Sequence, residues 1–118
     1  MIEIQNVTKV YGEQTVLSCV AATLEAGRIY GLVGINGSGK TTLMRCICGF
    51  THPTSGKIIV NGDEIGKKVD FPKRTGIIIE TPGFLPHYSG LRNLLLLAGV
   101  SHGATKERAA QVMRQVKL

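Results

Sequence analysis

The chain has 118 residues, 43% of them apolar and 19% charged, with a formal net charge of +6; this suits one soluble domain with its own core and is too short for two comfortable ones. No apolar run approaches the roughly 20 residues that cross a bilayer, and the opening Met-Ile-Glu-Ile-Gln has neither the basic nor the apolar part of a leader, so a cytoplasmic chain is expected. The densest basic group, Lys67, Lys68, Lys73 and Arg74, has Asp70 among it and aromatic residues are only 5%, which fits a solvated loop and argues against a nucleic-acid partner.

In chain order, Ile2, Ile4 and Val7 with polar residues between them predict a short edge strand, and residues 16–24 lead into a turn at Glu25-Ala26-Gly27. The apolar run Ile29-Tyr30-Gly31-Leu32-Val33, bounded by glycine, predicts a buried parallel strand. After Gly39 the period becomes helical through Leu43, Met44 and Ile47, and Gly49 stands where a helix C-cap needs it. Cys46 and Cys48 fall two apart on this helix and point different ways, so with Cys19 they read as small apolar residues rather than metal ligands or a disulfide. Pro53-Thr54-Ser55-Gly56 is turn chemistry, 57–60 is a strand, and Asn61-Gly62 is a hairpin signal. Ile77-Ile78-Ile79 predicts another buried strand ending at Glu80. From Ser89 the chain turns helical, with Leu91, Leu94, Leu95 and Ala98 on one face and Ala109, Val112, Met113 and Val116 on another. Arg92 stands where a glutamate would complete a capping box, which leaves Ser89 to cap that helix alone. No internal repeat is present.

Residues 34–41, Gly-Ile-Asn-Gly-Ser-Gly-Lys-Thr, fit the phosphate-loop pattern G-x-x-x-x-G-K-[ST]; this composition would produce about 0.015 such matches by accident. Glycine at 34 and 39 allows positive φ and a tight wrap, so that backbone N–H groups, those of Asn36, Gly37 and Ser38 among them, converge on phosphate oxygens. The helix starting near Lys40 adds the positive end of its dipole. Lys40 would reach the β- and γ-phosphates, the Thr41 hydroxyl would ligate Mg²⁺, and Thr42 follows in the same first turn. The sequence pattern thus predicts ATP, or at least a nucleoside triphosphate.

Three further features narrow the class. Tyr11 precedes Gly12 at the end of the first strand. Gly49 and the run from Pro53 to Gly62 follow the phosphate-loop helix, and Gly76-Ile-Ile-Ile-Glu-Thr-Pro-Gly-Phe-Leu-Pro86 comes later. Together these resemble the ATP-binding subunit of ABC transporters along the whole chain. The resemblance implies an α/β, P-loop NTPase fold: a parallel sheet around the phosphate loop and an antiparallel β-subdomain within residues 1–88, then the start of a helical subdomain in 89–118. It implies that Tyr11 stacks on adenine. It also implies that Glu80, where most of the family has glutamine, reaches Mg²⁺ and the attacking water; a carboxylate is a competent hard ligand. Glutamate followed by Thr-Pro-Gly-Phe-Leu-Pro is similar to the bacitracin- and lantibiotic-export subgroup. The expected partners are a transmembrane permease subunit and a second ATP-binding subunit, with the pair sandwiching two ATP molecules on the inner face of the cell membrane.

The family's signature motif, its second acidic motif and its switch histidine do not occur here. Asp63-Glu64 imitates the acidic pair but lies beyond the Asn61-Gly62 turn, and His52, His87 and His102 stand in loop contexts. A truncated chain that binds nucleotide without hydrolysing it is therefore expected, with unpaired sheet edges that favour self-association. The alternatives are a nucleotide-binding remnant or a P-loop NTPase of another class; among the latter, a GTPase would carry Asn-Lys-x-Asp, which is absent.

Overall fold

A computed structural model describes residues 1–81, 83–100 and 105–116; Pro82 of the Glu80 segment and His102 lie outside them. The chain divides into two units, Met1–Ile79 and Glu80–Leu118.

The first unit is built on two long strands, β1 (Ile2–Tyr11) and β2 (Gln14–Leu24), which form an antiparallel hairpin closed at Tyr11 and Gln14. Strand β3 (Ser55–Val60) pairs with the other edge of β1, and the two-residue β4 (Asp63–Glu64) pairs with β3, giving the order β2-β1-β3-β4. Regular alternation along β1 would point Ile2, Ile4 and Asn6 inward. Instead Asn6 takes left-handed backbone (φ 49) and shifts the register, so that Ile4 and Val7 are both buried. Thr8 Oγ1 accepts a bond from the Cys19 N–H at 3.0 Å and satisfies the bulged edge. On the other side, Gly56 of β3 (φ 80) lies so close to the Asn6 carbonyl that a Cβ there has no room. Asn61 (φ 50) and Gly62 (φ 86) form the expected two-residue hairpin turn, with Val60 opposite Asp63, so Asp63 and Glu64 do stand past a turn.

Helix α1 (Lys40–Ile47) covers this sheet with Leu43, Cys46 and Ile47, the i, i+3, i+4 stripe of an amphipathic helix. They meet Ile4, Val7, Leu17, Ile58, Val60 and Ile65 in one core. Burial pushes the thiol pKa of Cys46 and Cys48 upward, which keeps both protonated and inert. The helix ends in a left-handed glycine motif: Phe50 N–H reaches the Arg45 carbonyl at 2.9 Å, Gly49 N–H reaches that of Cys46 at 3.2 Å, and Gly49 has φ 79.

The buried parallel strand expected at 29–33 and the buried strand expected at 77–79 are not formed. Val33 is 95% exposed and Ile78 80% exposed, and every strand pair named above is antiparallel. A parallel strand exists through hydrogen bonds to neighbours on both sides, and among the described residues no strand runs beside either segment. The turn before the first of them is held locally: the Glu25 N–H donates to Tyr30 Oη at 2.8 Å, and Arg28 pairs with Glu25 at 2.8 Å.

The second unit holds helices α2 (Gly90–Val100) and α3 (Lys106–Gln115), which pack on each other. Ser89 Oγ caps α2 through the Arg92 N–H at 3.3 Å, and Thr105 caps α3 through Arg108 N–H. Asn93, only 7% exposed, organises the loop before α2. Its Oδ1 accepts from Leu85 N–H at 2.8 Å, while its Nδ2 donates to the carbonyls of Leu85, Tyr88 and Ser89 at 3.1–3.2 Å. Asn93→Ala strips these partners at once; hydrogen exchange at the Leu85 amide should quicken by the equivalent of about 1–3 kcal/mol, while that in β1 stays unchanged.

Candidate nucleotide-binding site

Residues 34–39 run from the exposed Val33 to the first turn of α1. Gly37 (φ 80) and Gly39 (φ 87, ψ 5) take left-handed backbone, and a turn closes between them and Ile35 as Ser38 N–H reaches the Ile35 carbonyl at 3.2 Å. Gly34 does not have positive φ, contrary to the reading of the motif. A Cβ at 34 would lie 2.6 Å from Ser38 Oγ and 3.8 Å from Lys40 Cδ, so a side chain there would displace the Ser38 hydroxyl. The second left-handed residue is Gly37, which the motif pattern leaves unspecified.

Gly39 is demanded twice. It is the N-cap of α1 in a conformation that costs an L-residue about 1–2 kcal/mol, and a Cβ on it would stand 2.8 Å from both the Val16 carbonyl and Leu17 Cδ2. Having no side chain, it makes no capping bond, and the first turn of α1 carries no acidic residue. The helix's first regular bond runs from Leu43 N–H to Gly39 O at 2.8 Å, so the N–H groups from Gly39 to Thr42 have no intrahelical acceptor. A helix start of this kind, with its dipole behind it, is a receptor for an oxyanion.

A cleft of about 360 Å³ opens in front of it, lined by Val16, Asn36, Gly37, Gly39, Lys40, Thr41 and Thr42. The Lys40 ammonium is folded back over the loop, donating to the Gly34 and Ile35 carbonyls at 2.7 Å each, with Ser38 Oγ at 3.5 Å. Both are neutral acceptors, and an incoming phosphate would offer the ammonium a charged one. Thr41 is exposed at the helix start, where its hydroxyl is a hard oxygen donor open to the cleft.

Six of the residues expected from the sequence pattern therefore come together around one cleft: Asn36, Gly37, Gly39, Lys40, Thr41 and Thr42. Gly34 and Ser38 shape the loop behind it. Tyr11 ends β1, 48% exposed, and Val16 of the cleft lies a few residues along the same hairpin. Glu80 opens the second unit in left-handed backbone (φ 62). The motif pattern did not single out Val16; its place in β2, just past the hairpin turn that follows Tyr11, is the signal that would have found it.

The two left-handed glycines are separable by mutation. Gly37→Ala meets nothing within 4 Å and should cost only the conformational term, about 1–2 kcal/mol. Gly39→Ala adds overpacking against β2 and should cost about 2–5 kcal/mol in urea unfolding.

A family model described as ABC transporter matches residues 17–118. Among curated relatives, the chain is 45% identical over 100 residues to the uncharacterized ABC transporter ATP-binding protein YybJ of Bacillus subtilis, covering 85% of this chain and 46% of that one. It is 37% identical over 119 residues to the bacitracin transport ATP-binding protein BcrA of Enterococcus faecalis, covering 100% of this chain and 39% of that protein. The chain thus spans less than half the length of either relative. A dimeric structure of the ATP-binding cassette MJ0796, in a post-hydrolysis state bound to ADP and Pi, superposes with a TM-score of 0.80 at 24% identity, over 100% of this chain and 58% of that one, a likeness of fold. With the phosphate loop seated on its helix as described, the chain belongs to the ABC transporter family, as an ATP-binding domain of it.

Proposed function

We propose that this chain binds Mg-ATP as part of the energy-coupling ATPase subunit of an exporter, of the kind that removes peptide antibiotics. The observation that carries the ATP site is the uncapped start of α1 behind Gly37 and Gly39, with the Lys40 ammonium resting on neutral carbonyls. In this reading the N–H groups of Gly37 and of Gly39 through Thr42 cradle the β-phosphate, with Asn36 and Ser38 in the surrounding loop. Lys40 swings from the Gly34 and Ile35 carbonyls to the β- and γ-phosphates.

The Thr41 hydroxyl fits Mg²⁺ by its exposure and hard oxygen; Glu80 carries a carboxylate, which is likewise a hard donor for Mg²⁺. When bound, the ion would supply neutralisation of the phosphate charge. Tyr11 stacks on the base. The working assembly is a permease subunit with two ATP-binding subunits at the inner face of the membrane. The dimeric neighbour supports the pairing, and the bacitracin-transport relative supports the antibiotic class. The sequence from Glu80 to Pro86 is similar to the same subgroup.

Calorimetric titration tests the site. Mg-ATP should bind the 118-residue chain more tightly than Mg-GTP, and Lys40→Ala should weaken Mg-ATP about 10- to 100-fold by removing a charge-assisted donor. Equal binding by wild type and Lys40→Ala would reject the phosphate-loop reading.

A further inference from the structure

Strand β1 runs past the point where β3 ends. Beyond the Thr8–Ser55 pair, its free edge is taken over by the loop that follows α1. Thr54 N–H donates to the Thr8 carbonyl at 2.8 Å, and Val10 N–H donates to Thr54 Oγ1 at 3.0 Å. Between these two bonds lies Lys9, whose Nζ donates to the His52 carbonyl at 2.8 Å. The same ammonium sits 4.8 Å from the centroid of the Tyr11 ring. Lys9 is half-buried as a residue, and the bond to the His52 carbonyl directs its ammonium toward the Tyr11 ring at an exposed site.

Two consequences follow for the ring. A cation at this distance occupies one π-face and holds the ring in place. With that face taken and 48% of Tyr11 still exposed, the surface left to a ligand is the opposite face and the hydroxyl edge. Face-to-face stacking of two aromatic systems is opposed by their like quadrupoles. A positive charge behind one ring draws density away from its front face and reduces that repulsion.

We infer that Lys9 is a positioning residue for the nucleotide base, pinning Tyr11 from behind so that its outer face receives a purine. This rests on the reading of Tyr11 as the base-stacking residue. It also gives the loop after α1 a part in nucleotide selection. The helix that starts at the phosphate cradle ends in the loop whose His52 carbonyl anchors the Lys9 charge. The triphosphate end of the site is therefore held by the start of α1, and the base end by the loop that follows it.

The test compares Mg-ATP with Mg-tripolyphosphate, which has the phosphates and no base, on the 118-residue chain and its Tyr11→Ala, Lys9→Met and Lys9→Arg variants. Tyr11→Ala should weaken Mg-ATP by about fivefold or more and leave tripolyphosphate unchanged. Lys9→Met keeps the apolar stem and should weaken Mg-ATP by about two- to fivefold, again sparing tripolyphosphate, while Lys9→Arg keeps wild-type affinity. If Tyr11→Ala weakens Mg-ATP and Lys9→Met does not, the role given to Lys9 is wrong. Equal losses of both ligands in Lys9→Met would also overturn it, since they would make Lys9 a general attractor of phosphate. No effect of Tyr11→Ala would overturn the stacking reading and this inference with it.

Discussion

Gly39 lies with its Cα against the Val16 carbonyl and the Leu17 side chain, in left-handed backbone that both ends the phosphate loop and caps α1. No other residue satisfies these demands together. The close approach presses the start of the helix onto β2, and the absence of a side chain leaves the first N–H groups of α1 without a capping partner. The positive φ turns the chain at the mouth of the cleft, which Gly39, Lys40, Thr41 and Thr42 help to line. Loop shape, helix position and anion site thus follow from one backbone atom's environment. The rest of α1 is fixed by the burial of Leu43, Cys46 and Ile47 on the sheet, a few kcal/mol of apolar transfer that holds the cradle in place.

The sheet under this helix is kept in register by an irregularity. The bulge at Asn6 lets Ile4 and Val7 both face the core, and Gly56 is the residue that tolerates the resulting approach of β3 to β1. Past the bulge β1 would present an open edge, which is a liability for pairing with other chains. The loop through His52 and Thr54 closes it with two backbone-edge bonds and the Lys9 ammonium. An edge-closing device has in this way placed a charge behind Tyr11.

The second unit is ordered by polar rather than apolar means. Asn93 satisfies four backbone groups of the loop before α2 and is the most buried polar residue among those described. Arg92, which stands where a glutamate would complete a capping box, has a place of its own, 4.6 Å over the Tyr88 ring.

The sequence by itself determined the phosphate-loop motif and the family, the hairpin at Asn61-Gly62, the helix from Lys40 with its stop at Gly49, and the two helices after Ser89. Each of these is a local rule, of turn chemistry, capping or helical period, that operates within a few residues. Only the tertiary structure decided that Gly34 lacks a positive φ and faces the Ser38 hydroxyl, that Gly37 supplies the second left-handed turn, that Val16 walls the cleft, and that Lys9 backs Tyr11. Those depend on atoms brought together across strands, which no spacing within one segment reports. The apolar runs at 29–33 and 77–79 show the converse limit. Their composition is that of buried strands, but a strand is completed by the neighbours it bonds to, and side chains such as Val33 and Ile78 remain exposed where the described residues supply none.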